Sequence, residues 1–137
     1  MSDLIQSIEE AYQSPENETL TNKYHRLFLN HIFILPVKKA TKKGDEPTAL
    51  FFSEDNNHFL PIFSSDDLFR QWAGETVSDM DWLNIAGKDL ILGSGETAFL
   101  CLDIGQPHYK EMQPDEVLKL KQVISKLERI AKSSAKA

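Results

Sequence analysis

At 137 residues, with 41% hydrophobic and 26% charged side chains, the chain has the size and composition of one compact soluble domain, not of a disordered or collagen-like polymer. Its formal charge of −6 is unevenly spread: from Asp115 onward six Lys/Arg meet three Asp/Glu, whereas between Glu54 and Asp103 ten acids meet only Arg70 and Lys88. That anionic middle repels phosphate backbones, which argues against nucleic acid and for a basic protein partner; the plainer reading is that these acids solubilise the surface and complement helix starts.

In chain order, Ser2 or Asp3 caps a first helix whose apolar positions Leu4, Ile5, Ile8, Ala11 and Tyr12 recur at helical spacing until Ser14-Pro15 stops it. A second helix carries Leu20, Tyr24, Leu27 and Phe28 and ends near Asn30. His31 to Val37 is a continuous apolar run, which predicts a strand buried on both faces. Lys38 to Pro47 reads as a polar loop in which Lys38, Lys39, Lys42 and Lys43 form a basic cluster exposed to solvent. Thr48–Ser53 and His58–Phe63 then form a β-hairpin around Asp55-Asn56-Asn57, and Pro61, which cannot donate to a ladder, belongs at an edge or bulge.

Ser64-Ser65-Asp66-Asp67 is a helix-start signature, followed by Leu68, Phe69 and Trp72 and ended by Gly74. Met80 to Leu83 reads as a short extended piece, after which Asn84 is expected to cap a helix carrying Ile85, Leu90, Ile91 and Leu92 and closed by Gly93. Thr97–Leu102 is a strand, Asp103 to Pro107 a turn, and His108–Met112 a further extended piece. Pro114, at a first helical position, opens a long amphipathic helix with the stripe Val117, Leu120, Ile124, Leu127 and Ala131, too short for a coiled coil. These elements predict an α+β fold: a mixed sheet of four to five strands packed with helices, two of them N-terminal and one long and C-terminal. The chain reads as one domain over 1–137, divided into a helical segment over residues 1–30, an α/β core over 31–131 and a tail over 132–137.

Leu35-Pro36-Val37, a hairpin, and then the run Phe59-Leu60-Pro61-Ile62-Phe63-Ser64-Ser65-Asp66-Asp67-Leu68-Phe69-Arg70-Gln71-Trp72 resemble the SseB N-terminal domain family, in which a leucine-proline-valine-phenylalanine-threonine-serine strand end runs into a helix finishing in tryptophan. The likeness covers roughly Leu20 to Ile130, and its specific stretch is Phe59–Trp72. Ser64 stands where threonine is common, and Asp103-Ile104-Gly105-Gln106-Pro107 lacks the usual asparagine-proline. The resemblance implies a bacterial cytoplasmic α/β domain with no catalytic constellation to carry over, and adaptor roles related to secretion in some relatives.

Chemistry is sparse. His25, His31, His58 and His108 have no metal-ligand spacing, and Gly93-Ser94-Gly95-Glu96 lacks a phosphate-loop pattern, so neither a metal nor a cofactor is expected. Cys101, the single cysteine, cannot form an internal disulfide, and the loop after it offers Asp103 where a reactive thiolate needs a cation; a small-molecule or thiol enzyme centred on Cys101 is the alternative reading, a buried apolar cysteine the plainer one. Met1-Ser2-Asp3-Leu4 lacks the order of a secretory signal, and apolar runs such as Ile32 to Leu35 fall far short of the roughly 20 residues a bilayer span requires, so a cytoplasmic protein without membrane insertion is expected. The reading favoured is a non-enzymatic interaction domain. Asp66, Asp67, Phe69 and Trp72 are its candidate partner contacts, and the C-terminal helix, through Leu120 and Leu127, offers a route to a homo-oligomer.

Overall fold

The computed structural model describes residues 3–40, 44 and 46–135. Ser2, Lys42 and Lys43, to which the sequence assigned a cap and two members of a basic cluster, lie outside the described residues, as do Lys136 and Ala137 of the tail. Helix α1 (Asp3–Gln13) buries Leu4 and Ile8. Helix α2 (Glu18–Asn30) starts where the Asn17 side chain accepts from the Leu20 amide at 3.2 Å, and it buries Tyr24, His25, Phe28 and Leu29.

Strand β1 (Ile32–Lys38) is buried from Phe33 through Val37, as a strand covered on both faces must be. It pairs antiparallel along its whole length with β4 (Met80–Ala86), from Ile32↔Ala86 to Lys38↔Met80. That seven-residue ladder corrects one expectation: Asn84 and Ile85 are strand residues, and the helix begins only at α4 (Gly87–Gly93), with no side-chain cap. Gly87 makes the tight exit possible. Its amide donates to the His31 carbonyl at 2.8 Å, and a Cβ there would collide with the Phe28 carbonyl.

The predicted hairpin is present but divided. Ala49 bridges to Val37 of β1, whereas β2 (Phe52–Glu54) pairs with β3 (Asn57–Ile62) across a two-residue turn in which Asp55 and Asn56 take φ of 51° and 67°. Positive φ at both central residues is the hairpin geometry that Asp and Asn tolerate. Strand β3 pairs parallel with β5 (Ala98–Leu102), which pairs antiparallel with β6 (Lys110–Met112), so the sheet order is β2-β3-β5-β6 and the sheet is mixed. Hydrogen bonds between Ile34 and Phe63 join it to the β1–β4 pair. Contrary to the expectation of an edge or bulge, Pro61 lies in an interior strand, paired with Cys101 of β5, while on its other side it falls between the Phe52↔Phe59 pairing and this Ile34–Phe63 bridge.

The two faces of the sheet are covered differently. On one, Phe33, Leu35, Ile62, Leu100, Leu102 and Met112 pack with α1, α2, α4 and α5 (Pro114–Ala135), whose stripe Val117, Leu120 and Ile124 is buried. On the other, α3 (Asp66–Ala73) and the 3-10 turn Gly74–Asp79 close a smaller core of Ile34, Phe63, Phe69 and Ala73. Helical geometry in α5 continues to Ala135, beyond the expected start of the tail at 132. No helix among the described residues is long and apolar enough to cross a membrane.

Candidate interaction surface

Ser65 is the residue that starts α3: its hydroxyl accepts from the Leu68 amide at 3.3 Å, leaving Asp66 and Asp67 in the first turn, exposed beside the positive helix end. Phe69, a candidate partner contact, points inward and is fully buried, so it serves as the anchor of α3 and not as contact surface. Trp72 lies with its ring 5.1 Å from Phe63 and 38% of its surface open. It thus both covers the sheet and faces solvent, combining the two roles that the sequence posed as alternatives.

A second tryptophan, which no local sequence signal marked, stands on the same side. Trp82 of β4 lies opposite Pro36, its ring 5.5 Å from Phe69 and 36% exposed, and the Arg70 guanidinium sits 5.2 Å above it while pairing with Asp66 at 2.7 Å. Leu83, its neighbour in the edge strand, opposes Leu35 and so lies on the other face, where it is 36% exposed. The exposed acids of this side are Asp66 and Asp67 of α3 and Glu75 and Asp79 of the 3-10 turn; Arg70 pairs with Asp66, and Lys39, just past the end of β1, donates to the Ser78 carbonyl at 2.9 Å. By strand alternation Phe59 shares the face of Phe63, and its ring lies 5.4 Å from Phe52 and 4.8 Å from Phe99, extending the aromatic surface toward the hairpin.

Two internal polar clusters account for residues read from sequence as turn or surface. Asp103, counted among the acids of the anionic middle, is completely buried with φ of 55°. Its carboxylate accepts from the Ser64 amide at 2.8 Å and the Ser64 hydroxyl at 2.6 Å, and His108 Nε2 lies 2.7 Å away. Hydrolytic triads place the imidazole between hydroxyl and carboxylate; here the carboxylate lies between the other two, so this geometry ties the end of β3 to the turn after β5 and does not activate Ser64. His31 Nε2 extends the network to the Ser64 carbonyl at 2.8 Å.

The second cluster centres on Glu116 in the first turn of α5, within 3.2 Å of the Tyr24 hydroxyl, His25 Nε2 and Lys110 Nζ. Burial raises the Glu116 carboxyl, but the hydrogen bond from His25 and the charge and hydrogen bond of Lys110 outweigh it and hold the group below its ordinary value. Burial, followed by the Glu116 charge, pushes the Tyr24 hydroxyl well up. These groups satisfy one another at the floor of a cleft of about 470 Å³ between α1, α2 and α5.

Cys101 is buried, and burial raises its thiol; Glu111 pushes in the same direction, and only a hydrogen bond with Tyr109 opposes them. A carboxylate and not a cation flanks the sulfur, the reverse of what an activated thiolate requires. Among the described residues no group of three or more His, Cys, Asp or Glu is placed to hold a metal ion. Comparison with curated proteins and with solved structures gives no match. The sequence model described as the SseB protein N-terminal domain matches residues 4–119, a span that runs from α1 through the first turn of α5 and includes the whole Phe59–Trp72 segment. The chain therefore belongs to the SseB family.

Proposed function

We propose that this SseB-family chain is a non-enzymatic bacterial adaptor of the cytoplasm that binds a basic protein segment through the acidic, tryptophan-bearing face of α3, the 3-10 turn and β4, in a secretion-associated or other envelope-associated assembly. The observation that carries the reading is the placement of partly exposed Trp72 and Trp82 on the side that carries the exposed carboxylates of Asp66, Asp67, Glu75 and Asp79. Aromatic anchors supply buried area at an interface, and a predominantly acidic field steers an oppositely charged partner and rejects like-charged ones. The Cys101 environment gives no comparable support to a thiol enzyme.

The test is affinity capture from the native host with the intact chain and two variants, Trp72→Ala and the double change Asp67→Lys with Glu75→Lys. A reproducible protein held by the wild type and lost from both folded variants is the expected result. Equal capture by all three, or turnover of a small molecule that a single polar substitution abolishes without moving the melting curve, would overturn it.

A further inference from the structure

The sheet edges of the molecule are unequal. The four-stranded sheet ends in β2 and β6, of three residues each, whereas β4, the outer strand of the β1–β4 pair, runs for seven residues in unbroken register. The hydrogen bonds of β1 show which groups β4 turns outward. Ile34, Pro36 and Lys38 bond to Phe63, Leu50 and Thr48 on the far side of β1, so the backbone groups of Phe33, Leu35 and Val37 face β4, where Ile85, Leu83 and Asp81 match them. The amides and carbonyls of Trp82 and Asn84 therefore point away from β1, and among the described residues no hydrogen bond reaches them. Strand β4 also lacks the usual protection of an open edge. From Met80 to Ala86 it has no proline, lysine, arginine or bulge, its single charge, Asp81, accepts from the Ala40 amide at 3.2 Å, and Trp82 and Leu83 leave apolar surface open on both of its faces.

An edge of this kind accepts another extended strand, and the pattern of β4 is complementary to itself. When two copies run antiparallel about a twofold axis at Leu83, Trp82 of each falls opposite Asn84 of the other. These are the residues with outward amides and carbonyls, so each of the two pairs exchanges two hydrogen bonds. Leu83 meets its own copy in the close, non-hydrogen-bonded position, which covers the apolar surface it leaves open. Asp81 falls opposite Ile85 and Met80 opposite Ala86, so no like charges oppose one another along the seam. Any extended segment satisfies the backbone; the side chains select a second copy, because the same register that pairs the outward groups also sets apolar against apolar at Leu83 and an uncharged residue against Asp81. We infer that the chain pairs with a second copy of itself through β4, joining two β1–β4 pairs into one continuous four-stranded sheet. The contact is isologous and closes at two copies. Residues opposite each other across antiparallel strands share a face, so the two tryptophan-bearing acidic faces lie on the same side of the dimer and stay open.

Cross-linking and light scattering on the intact chain provide the test. Residues in the close antiparallel position have Cα atoms about 4.5 Å apart, within disulfide reach, so Leu83→Cys treated with a mild oxidant should give a covalent dimer. Asp81→Cys should not, because its own copy lies four residues along the strand, roughly 13 Å away, and the wild type, whose Cys101 is buried, should not either. By light scattering the wild type should rise from 15.6 kDa toward twice that mass with increasing concentration and keep that mass at high salt, where a contact made by charges dissociates. Asn84→Pro removes an outward donor and no bond of the β1 ladder; it should weaken association at least about tenfold while melting, in dilute solution, close to the wild type. A wild type that stays monomeric up to about 1 mM, a dimer that salt dissociates or that Asn84→Pro leaves intact, or a Leu83→Cys chain that links no faster than Asp81→Cys overturns the inference. Should Asn84→Pro fail to fold, the comparison of Leu83→Cys with Asp81→Cys decides alone.

Discussion

Asp103 shows how one side chain can carry chemistry that its sequence context conceals. Between Leu102 and Ile104-Gly105 it reads as a turn acid, and its left-handed backbone does suit a turn. What sequence spacing could not reveal is that the parallel pairing of β3 with β5 brings Ser64 and Asp103, 39 residues apart, within hydrogen-bond reach. A buried carboxylate persists only where donors compensate its lost hydration, and here Ser64 supplies two. Asp103→Asn separates that role from the backbone requirement, since asparagine tolerates the same φ. It should destabilise the fold by about 1–3 kcal/mol in urea denaturation, because an amide donor replaces the oxygen shared by the Ser64 hydroxyl and His108. A variant as stable as the wild type would show that the cluster contributes nothing net.

Among the elements, those with strong local signals were legible and those set by their neighbours were not. The spacing in α1, α2 and α5, the Ser65-Asp66-Asp67 start of α3, and the doubly buried β1 all follow from side-chain periodicity and caps. Strand β4 does not: Asn84 has the chemistry of a cap, yet the ladder to β1 holds it extended. Trp82 escaped notice as a surface residue for the same reason, since only the register with Pro36 puts it beside Phe69. In α5 the apolar stripe was plain, but where its burial ends depends on how far α2 and α4 reach. That boundary is measurable. Leu120→Ala, at a fully buried position, should cost about 2–5 kcal/mol, whereas Leu127→Ala, 55% exposed, should stay within about 0.5 kcal/mol. Thermal or chemical denaturation of the two variants in monomeric conditions compares them directly, and similar losses at both positions would mean that Leu127 is covered.

At the level of the whole molecule, Glu116 couples α2, β6 and α5 through His25, Tyr24 and Lys110. Its carboxyl is held below the ordinary value of 4.5, so the charged form belongs preferentially to the folded state. The stabilisation it confers is fully present above the unfolded value and is lost as pH falls through the folded one. Glu116→Gln should therefore melt lower than the wild type at neutral pH, and the two melting curves should converge as pH drops below about 4.5, which a pH series of thermal denaturation measures. Parallel curves down to the acid limit would rule the group out as a source of pH dependence. The tie between Ser64 and Asp103 has a kinetic consequence as well. A contact that must wait for a long crossover to return and lay β5 alongside β3 forms late, after the hairpin and helices have ordered locally. Weakening it should leave refolding nearly as fast as before and accelerate unfolding, so a chevron for Asp103→Asn would move on its unfolding limb alone. The protein would then owe the lifetime of its native state, more than the speed of reaching it, to a latch closed at the final step.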